Sequence, residues 1–551
     1  MESLDRRVQL SAGAIDNLFK PALFSFPNGY ESADAVDVDA WGRVVLAGRW
    51  NERLKNHNTG ASAVGLARYR ADGSLDTSFG YDGFTLKTAG MESLAGLRRL
   101  DGGGFLLVGQ RVGSGSATHN DILIVRLTPK GKLDSTFGGG DGVVSLDLPG
   151  DQETVYSVSN LTSDGKLYLG GMVRTTQLTG IVARVNADGS LDTSFGSGGY
   201  FQSRFGLTDV SNDLFSTTYQ PAVTAIHADD GGTIRLGVSG TYTGFNESSP
   251  SEASGVSPVL ARLTSAGVLD STFNSADSLP GTLRRASDWD RTGFSAYARF
   301  LFNPDGTTQV VTGSPFAAYT VSSAGTQTAV QTSNDLNDIY GSFTRQADGK
   351  WLAVARSSTS NPSATVLRFN ADLSLDTSWG NTGIATIEPA TASTRSAFNA
   401  LALGPDGSIL AAGYREELAS LPSAKFLAYR LWRDNGPVGL VDSPALNSAG
   451  VNPYRFSVTW RSDAAIDLAS LGDDDLQIIG PNGEALKARK LGMSATGDPR
   501  QVIVSYKVAA PAGGWSFLNN GSWAIRVRTG IRDSQGDVSH KRTLGSFQVA
   551  I

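Results

Sequence analysis

One short pattern recurs along most of this chain and limits what the chain can fold into. It reads Leu-Asp, two Ser or Thr residues, an aromatic residue and, in most copies, Gly, and its copies begin at Leu75, Leu133, Leu191, Leu269 and Leu375. The string Gly-Ser-Leu-Asp-Thr-Ser-Phe-Gly is identical at 73–80 and 189–196, and the first three copies are spaced by 58 residues. The longer gap before the last copy predicts a degraded copy at 323–328. A fixed period of this kind indicates an array of similar units.

A second marker repeats in the same register: a Gly followed by an apolar run that ends in a small residue. Its seven copies lie at 42–48, 104–109, 165–170, 232–237, 306–313, 349–355 and 407–413. Short runs rich in Val, Ile, Leu and aromatic residues, separated by Gly and Asp, are typical of strands. Each unit has room for four of them, so the sequence predicts an all-β chain with a seven-bladed β-propeller.

The two ends of the array predict how the ring closes. The seventh unit stops after its third strand at Arg430, whereas the chain begins with a worn turn motif and an extra strand candidate at 22–26. We expect this N-terminal strand to complete the last blade, which would remove an exposed sheet edge.

The repeated units resemble the delta-60 repeat of bacterial surface and secreted proteins, over roughly residues 1–437. The resemblance implies a β-propeller. It brings no catalytic residues, because this family has no common established activity.

The turn motif is interpreted as a structural element. Gly73 allows the positive φ of a tight turn, Asp76 can bond backbone groups of its own turn, and Leu75 and Phe79 offer apolar anchors between blades. The structural positions are Gly73, Asp76, Phe79, Asp134, Phe137, Asp192, Phe195, Asp270, Phe273, Asp376 and Trp379. The alternative is a calcium loop, although two acids per motif fall short of the six to eight oxygens that calcium prefers.

The repeat pattern ends near residue 438. Alternating strands such as 454–460 and 501–506 predict an immunoglobulin-like β-sandwich over 438–551, which resembles the modules of large bacterial surface proteins. A calcium site is one reading of its acidic residues Asp473, Asp475, Asp533 and Asp537. The other is a solvated acidic turn. No other cofactor is predicted.

Composition excludes several classes of protein. The chain of 551 residues has no Cys, a net charge of −6 and 18% charged residues, so disulfides, thiol catalysis and the usual basic nucleic-acid surface are not expected. No apolar segment is long enough to span a membrane, and the N-terminus contains no intact signal peptide. The composition and the resemblance together predict a bacterial extracellular or cell-surface location, within a larger surface assembly.

No catalytic residue is assigned, because the four His residues lack metal-ligand spacing and no nucleophile motif accompanies them. Variable loops on a rigid scaffold are the expected binding site, on the face that carries the loops after strands two and four. The candidate ligand-binding residues near strand two are Arg49, Trp50, Arg111, Arg174, Tyr242, Arg356, Tyr414 and Arg415. The arginines either form a ring for an anionic ligand or pair with acids of neighbouring loops, namely Glu31, Asp34, Glu92, Glu153 and Asp288.

These features predict a secreted or cell-surface binding or adhesion protein whose propeller recognises a glycan or a surface protein. A propeller hydrolase or lyase acting on polysaccharide is the first alternative, and a structural envelope component is the second.

Overall fold

The computed structural model describes the chain apart from a set of short segments. These are residues 1–12, 14, 17–18, 20–21, 25–28, 40, 54–58, 87, 113–119, 151, 213–214, 230, 247–248, 277, 285–297, 314–315, 334–338, 340, 357–362, 378, 381, 389–390, 392, 406, 419–422, 432–435, 463, 535, 537 and 540–542. The described residues form 36 strands and four short 3-10 segments, so the all-β prediction is confirmed. The 3-10 segments are Thr88–Gly90, Gly138–Gly140, Leu468–Ser470 and Phe517–Asn519.

The strands up to Leu431 form seven antiparallel sheets, which are the blades of a propeller. The chain enters through β1 (Ala22–Phe24), which belongs to the last blade. Blade 1 contains β2 (Gly29–Val38), β3 (Val44–Arg53), β4 (Thr59–Tyr69) and β5 (Phe84–Leu86). Blade 2 contains β6 (Ser93–Arg99), β7 (Phe105–Val112), β8 (Asn120–Leu127) and β9 (Val143–Leu146). Blade 3 contains β10 (Gln152–Val158), β11 (Leu167–Arg174), β12 (Leu178–Val185) and β13 (Tyr200–Ser203).

Blade 4 is the largest, because an additional short strand extends its sheet to five strands. It contains β14 (Val210–Asn212), β15 (Phe215–Ala228), β16 (Ile234–Asn246), β17 (Ser249–Leu263) and β18 (Thr282–Arg284). Blade 5 contains β19 (Ala298–Phe302), β20 (Thr308–Gly313), β21 (Phe316–Val321) and β22 (Gln327–Ser333). Blade 6 contains β23 (Phe343–Arg345), β24 (Trp351–Arg356), β25 (Ala364–Phe369) and β26 (Ile384–Glu388). Blade 7 contains β27 (Thr394–Leu403), β28 (Ile409–Glu417), β29 (Ser423–Leu431) and the N-terminal β1.

The hydrophobic core of the propeller lies between blades. One cluster fills each junction: Val45, Leu66 and Phe105 meet between blades 1 and 2, for example. The middle strands are apolar on both faces because each face packs against a neighbouring blade. A further cluster joins blade 1 to blade 7, where Leu46 packs with Phe426, so the ring of junctions is closed.

The N-terminal segment closes the ring as the sequence predicts. Strand β1 pairs antiparallel with β29, with Ala22 opposite Ala428. Upstream of it, the carboxylate of Asp16 accepts a 2.7 Å hydrogen bond from Nε of Arg430, and the guanidinium lies over the ring of Phe19. The worn motif at the N-terminus therefore serves as the turn motif of the last blade.

The repeated turn and an arginine of strand three together form a contact between neighbouring blades, termed the inter-blade clamp. In blade 1, Oδ1 of Asp76 accepts hydrogen bonds from Ser78, and Oδ2 accepts a 2.8 Å bond from Nε of Arg68 on β4. The arginine lies over the ring of Phe79, and its Nη1 donates to the backbone carbonyl of Pro129 in blade 2 at 2.6 Å. The motif thus joins two blades through buried, charge-assisted hydrogen bonds.

The clamp recurs around the ring. The arginine-to-carbonyl bond joins Arg184 to Ser265, Arg262 to Ser323 and Arg430 to Ala71. In blade 3, the Ser194 hydroxyl, with Lys166 and Arg184, holds the pKa of the Asp192 carboxyl well below its usual range. The carboxylate is therefore ionised at neutral pH.

In several motifs the aromatic residue packs against a glycine of the next blade. A Cβ on Gly131, whose φ is +73°, would lie 2.6 Å from Cζ of Phe79, and the same contact joins Gly189 to Phe137. Phe79 is fully buried, as expected for an anchor between blades. The motif leucine behaves differently, since Leu75 packs against Gly83 of its own turn and Leu133 is 46% exposed.

Blade 5 has lost both members of the ion pair. Thr320 and Thr328 occupy the positions of the arginine and the aspartate, as expected for a degraded copy. Gln309 lies opposite Thr320 on the adjacent strand, and its Nε2 donates to the carbonyl of Ala371 in blade 6 at 2.7 Å. An uncharged side chain on another strand therefore supplies the bond to the next blade.

The C-terminal module is a separate antiparallel sheet. Its strands are β30 (Val438–Asp442), β31 (Tyr454–Arg461), β32 (Leu476–Ile479), β33 (Ala485–Ala495), β34 (Gln501–Val508), β35 (Gly521–Val527) and β36 (Thr543–Val549). The sheet order is β30-β31-β34-β33-β32-β35-β36, and β33 bends so that its two halves pair with different neighbours. The sheet wraps around a core that contains Trp460, Tyr506, Trp523 and Phe547.

Candidate functional site

The innermost strands of the blades carry a recurrent β-bulge. In five blades one residue of this strand has no partner on strand two, namely Asp34, Ala95, Tyr156, Thr224 and Asn399. A bulge turns the side chain of its extra residue away from the regular pleat. Each of these five blades therefore carries one irregular residue on its innermost strand.

The bulge explains the glycine that ends the second sequence marker in blades 1, 2 and 7. A Cβ on Gly48 would lie 2.0 Å from the carbonyl oxygen of Ser32, and one on Gly413 would lie 1.9 Å from that of Ala397. No side chain fits at these distances. The recurrent glycine is required because the bulged strand passes so close.

Three of the bulged residues, Tyr156, Thr224 and Asn399, line a cavity of about 520 Å³ in the central channel. Blades 3 to 7 all contribute to it, and its other polar side chains are Gln220, Ser239, Thr241, Arg299 and Ser342. The described residues of this lining thus offer hydroxyl, amide, phenol and guanidinium groups and include no carboxylate. The volume lies within the range of about 300–1,000 Å³ that is usual for small-ligand pockets.

Hydrogen bonds fix several of these side chains. Nδ2 of Asn399 donates to Oγ of Ser32 at 2.8 Å and to the carbonyl of Ala33 at 3.0 Å, which ties blade 7 to blade 1. The hydroxyls of Thr224 and Ser239 lie 2.9 Å apart. The lining of the channel is therefore ordered by contacts within the protein.

Tyr156 is the aromatic residue of the lining, and 44% of its surface is exposed. Partial burial raises the pKa of its hydroxyl, so the phenol is a neutral hydrogen-bond donor at physiological pH. An exposed ring beside fixed polar groups combines an apolar surface with directional bonds.

The arginines predicted as a ring occupy different strand positions. Counted from the glycine opposite the bulge, Arg49 comes one residue later, Arg111 and Arg415 two, and Arg174 three. Successive residues of a strand point to opposite faces, so these side chains do not share one face. They also lie within the strands, because strand two of each blade continues past the glycine.

The predicted pairing of arginines with loop acids is present in part. Nε of Arg49 lies 3.0 Å from Oδ2 of Asp34, and Arg49 is more than half exposed. Arg111 instead pairs with Asp121 on the neighbouring strand at 2.6 Å. The side chains of Tyr242 and Arg356, and the whole of Asp288, lie outside the described residues.

Trp50 is placed in the core and not on the rim. It is 4% exposed and belongs to the cluster between blades 7 and 1. Tyr414 lies beside a neighbouring ionic group, in which Nε of Arg395 pairs with the buried Glu416 at 2.5 Å. Burial, with the nearby Glu416 and Tyr414, raises the pKa of Tyr30 to about 12.

Acids recur at one position of strand one. Glu31, Glu92 and Glu153 each lie two residues before the partner of the strand-two glycine. Burial raises the pKa of Glu153 to about 7, although the N–H of Leu148 donates to its Oε1 at 2.7 Å. This carboxyl is buried within blade 3 and is not part of the cavity lining.

The residues proposed for calcium in the C-terminal module make bonds within the protein. Asp475 accepts from the N–H of Gly472 and the hydroxyl of Tyr506, and Oδ2 of Asp533 accepts from Ser462. Asp473 accepts from the N–H of Lys490, and Asp537 lies outside the described residues. In the part of the chain that the structure describes, no group of three His, Cys, Asp or Glu residues is arranged to hold a metal ion. Calcium binding stays a prediction.

The seven sheets and their closure define a β-propeller protein. In agreement, segments 56–79, 162–195 and 346–378 match the profile described as "Domain of unknown function (DUF5122) beta-propeller". Each of these segments ends inside a copy of the turn motif, at Phe79, Phe195 and Ser378. A sequence search of curated proteins finds no match.

Solved structures resemble the chain only distantly. The β-propeller domain of the Trilobed protease from Pyrococcus furiosus, described as having an open velcro topology, is 8% identical with a TM-score of 0.36, over 73% of this chain and 95% of that chain. A mannose phosphorylase from Leishmania mexicana is 13% identical with a TM-score of 0.26, over 57% of this chain and 88% of that chain. Among the described residues, no helix has the length and apolar character needed to cross a bilayer.

Proposed function

We propose that this protein is a secreted or cell-surface binding protein whose propeller holds a glycan in its central channel. The observation that carries the proposal is the cavity of about 520 Å³ lined by Tyr156, Thr224, Asn399 and other polar residues. Hydroxyl and amide groups match the alternating donors and acceptors of a sugar, and the exposed ring of Tyr156 offers a surface on which a pyranose can stack.

The chemistry of the lining favours binding over hydrolysis. Most glycosidases use a pair of carboxyl groups on either side of the scissile bond. The described lining residues contain no carboxylate, and Asp34, the acid at the corresponding bulge of blade 1, pairs with Arg49. A hydrolase or lyase is therefore the alternative that the experiment must test.

The finer assignments belong to the same proposal. The delta-60 resemblance of the repeats and the absence of Cys support a bacterial extracellular location. We assign the C-terminal module to the immunoglobulin-like class and give it a role as spacer or second adhesion surface in a larger assembly. Fractionation of the source cells, with detection of the chain, tests the location.

A glycan array probed with the full chain tests the ligand. We expect saturable binding that Tyr156→Ala weakens by about tenfold, the usual scale for one stacking contact. Tyr81→Ala is the matched control, because Tyr81 is 77% exposed on a turn of blade 1, away from the channel. Equal binding by both variants would refute the channel site. Shortening of a bound polysaccharide during incubation would show an enzyme instead.

A further inference from the structure

The clamp of blade 2 differs from those of blades 1, 3, 4 and 7. Arg126 of blade 2 occupies the same position as Arg68, and its Nε lies 2.9 Å from Oδ2 of Asp134. Its guanidinium also lies 5.8 Å from the ring centre of Phe137. Among the described residues it makes no hydrogen bond to blade 3, and its side chain is 33% exposed, against 4% for Arg68. The outer edge of this guanidinium is therefore available to a ligand.

A cavity lies beside the open clamp. The space between blades 2 and 3 measures about 880 Å³ and is lined by Arg126, Phe137 and residues of the next turn such as Ala187. At the junction of blades 4 and 5, where Arg262 reaches its carbonyl, the corresponding cavity is about 190 Å³. The larger volume coincides with the clamp that does not reach across.

The inner wall of this cavity adds positive charge. Nε of Arg98 donates to the carbonyl of Ser159 at 2.7 Å, and its Nη2 donates to that of Val158. Within the described part of the chain no carboxylate lies within ion-pair distance of Arg98; backbone carbonyls accept its hydrogen bonds, and the carboxylate of Asp37 acts on its charge from further away. Arg99 also lines the cavity, 3.8 Å from Asp37, and Asp101 is the acid of the lining.

We propose that this cavity, termed the blade 2–3 pocket, is a binding site for an oxyanion group, either a sugar carboxylate or a sulfate ester. In the sibling clamps the free edge of the guanidinium donates to a carbonyl oxygen, so an oxygen acceptor from a ligand completes the same bonding pattern at Arg126. Guanidinium groups bind such oxyanions through paired hydrogen bonds. The site is independent of the channel, because it lies on the face of the repeated turns.

Isothermal titration of the full chain with sodium sulfate and with sodium glucuronate, at constant ionic strength set by chloride, tests the pocket. We expect saturable binding of at least one of the two anions. The anion that binds more tightly identifies whether the pocket prefers a sulfate or a carboxylate. Arg126→Gln should weaken it by about tenfold or more, since a charge-assisted bond is lost. Arg99→Gln, at the rim, should weaken it less.

Two control variants keep the test decisive. Arg68→Gln alters the same motif in a closed clamp, so it should lower the unfolding temperature and leave oxyanion affinity unchanged. Arg126→Gln should lower that temperature by less, because it has no bond to the next blade to lose. Tyr156→Ala should leave the titration unchanged, which separates this site from the channel. The absence of saturable binding for either anion, or equal affinity in wild type and Arg126→Gln, would overturn the proposal.

Discussion

Closure of the ring depends on one buried ion pair, and its removal gives the most informative stability prediction. Asp16 and Arg430 have side chains only 3% and 5% exposed, and they meet through contacts of 2.6 and 2.7 Å across 414 residues of sequence. Asp16→Ala leaves the guanidinium of Arg430 buried without its carboxylate. Breaking a buried pair from one side costs about 3–5 kcal/mol. That is a large part of the stability of about 5–15 kcal/mol that is usual for a folded domain.

The matched control is Asp134→Ala in blade 2, where the same pair is 16% and 33% exposed. An ion pair contributes less as its solvent exposure rises, towards about 0–1 kcal/mol, so this variant should cost clearly less than Asp16→Ala, mainly through its lost bonds to Thr136. Amide hydrogen exchange at β1 and β29 is the assay, because release of the N-terminal segment exposes those strands first. A loss of about 3 kcal/mol accelerates their exchange by roughly two orders of magnitude. Equal exchange in both variants would refute the view that the closing clamp holds the ring.

Three further changes test the inter-blade contacts by urea denaturation. Gly131→Ala should destabilise the fold by about 2 kcal/mol or more, because the new Cβ adds a clash with Phe79 to the strain of a positive φ. Gly103→Ala is the control: its Cβ would meet nothing closer than 3.8 Å, so it should cost only the strain. Gln309→Ala should cost about 1–3 kcal/mol, since it leaves a blade 6 carbonyl without its donor, and an unchanged midpoint would contradict that role. Folding raises the pKa of Glu153 from 4.5 to about 7 and so favours its protonated form. The free energy of unfolding should therefore fall as the pH rises from 4.5 to about 7, and Glu153→Gln should abolish this part of the fall.

The sequence predicts the scaffold well because the turn motif acts locally. Asp76 bonds within its own turn and Gly73 allows its path, so each copy reports a blade wherever it stands. The degraded copies of the motif are equally informative. The copy at 323–328 lies in blade 5, and the N-terminal copy completes blade 7. An arginine of strand three lies eight residues before each motif aspartate. This recurrence is visible in the sequence, but spacing alone does not show that the arginine contacts the next blade.

The candidate site was harder to predict, for reasons of register. Tyr156, Thr224 and Asn399 share a structural position but no residue type, so no repeat marks them. The predicted arginines shared a residue type without sharing a position, since a shift of one residue moves a side chain to the opposite face. Trp50 lies within β3, just past its apolar run, and packs into the junction between blades, where sequence alone does not distinguish core from rim.

The clamps also have a direction, and it bears on how the propeller would come apart. Each described donor lies on one blade and its acceptor on the following blade, and Arg430 continues this direction back to blade 1 by reaching Ala71. Any excised run of blades would leave a donor at one cut and an acceptor at the other, which disfavours stable fragments. Under mechanical load we expect blades 2 and 3 to separate first, because Arg126 has no described hydrogen bond to blade 3. A ligand bound in the blade 2–3 pocket would strengthen that junction.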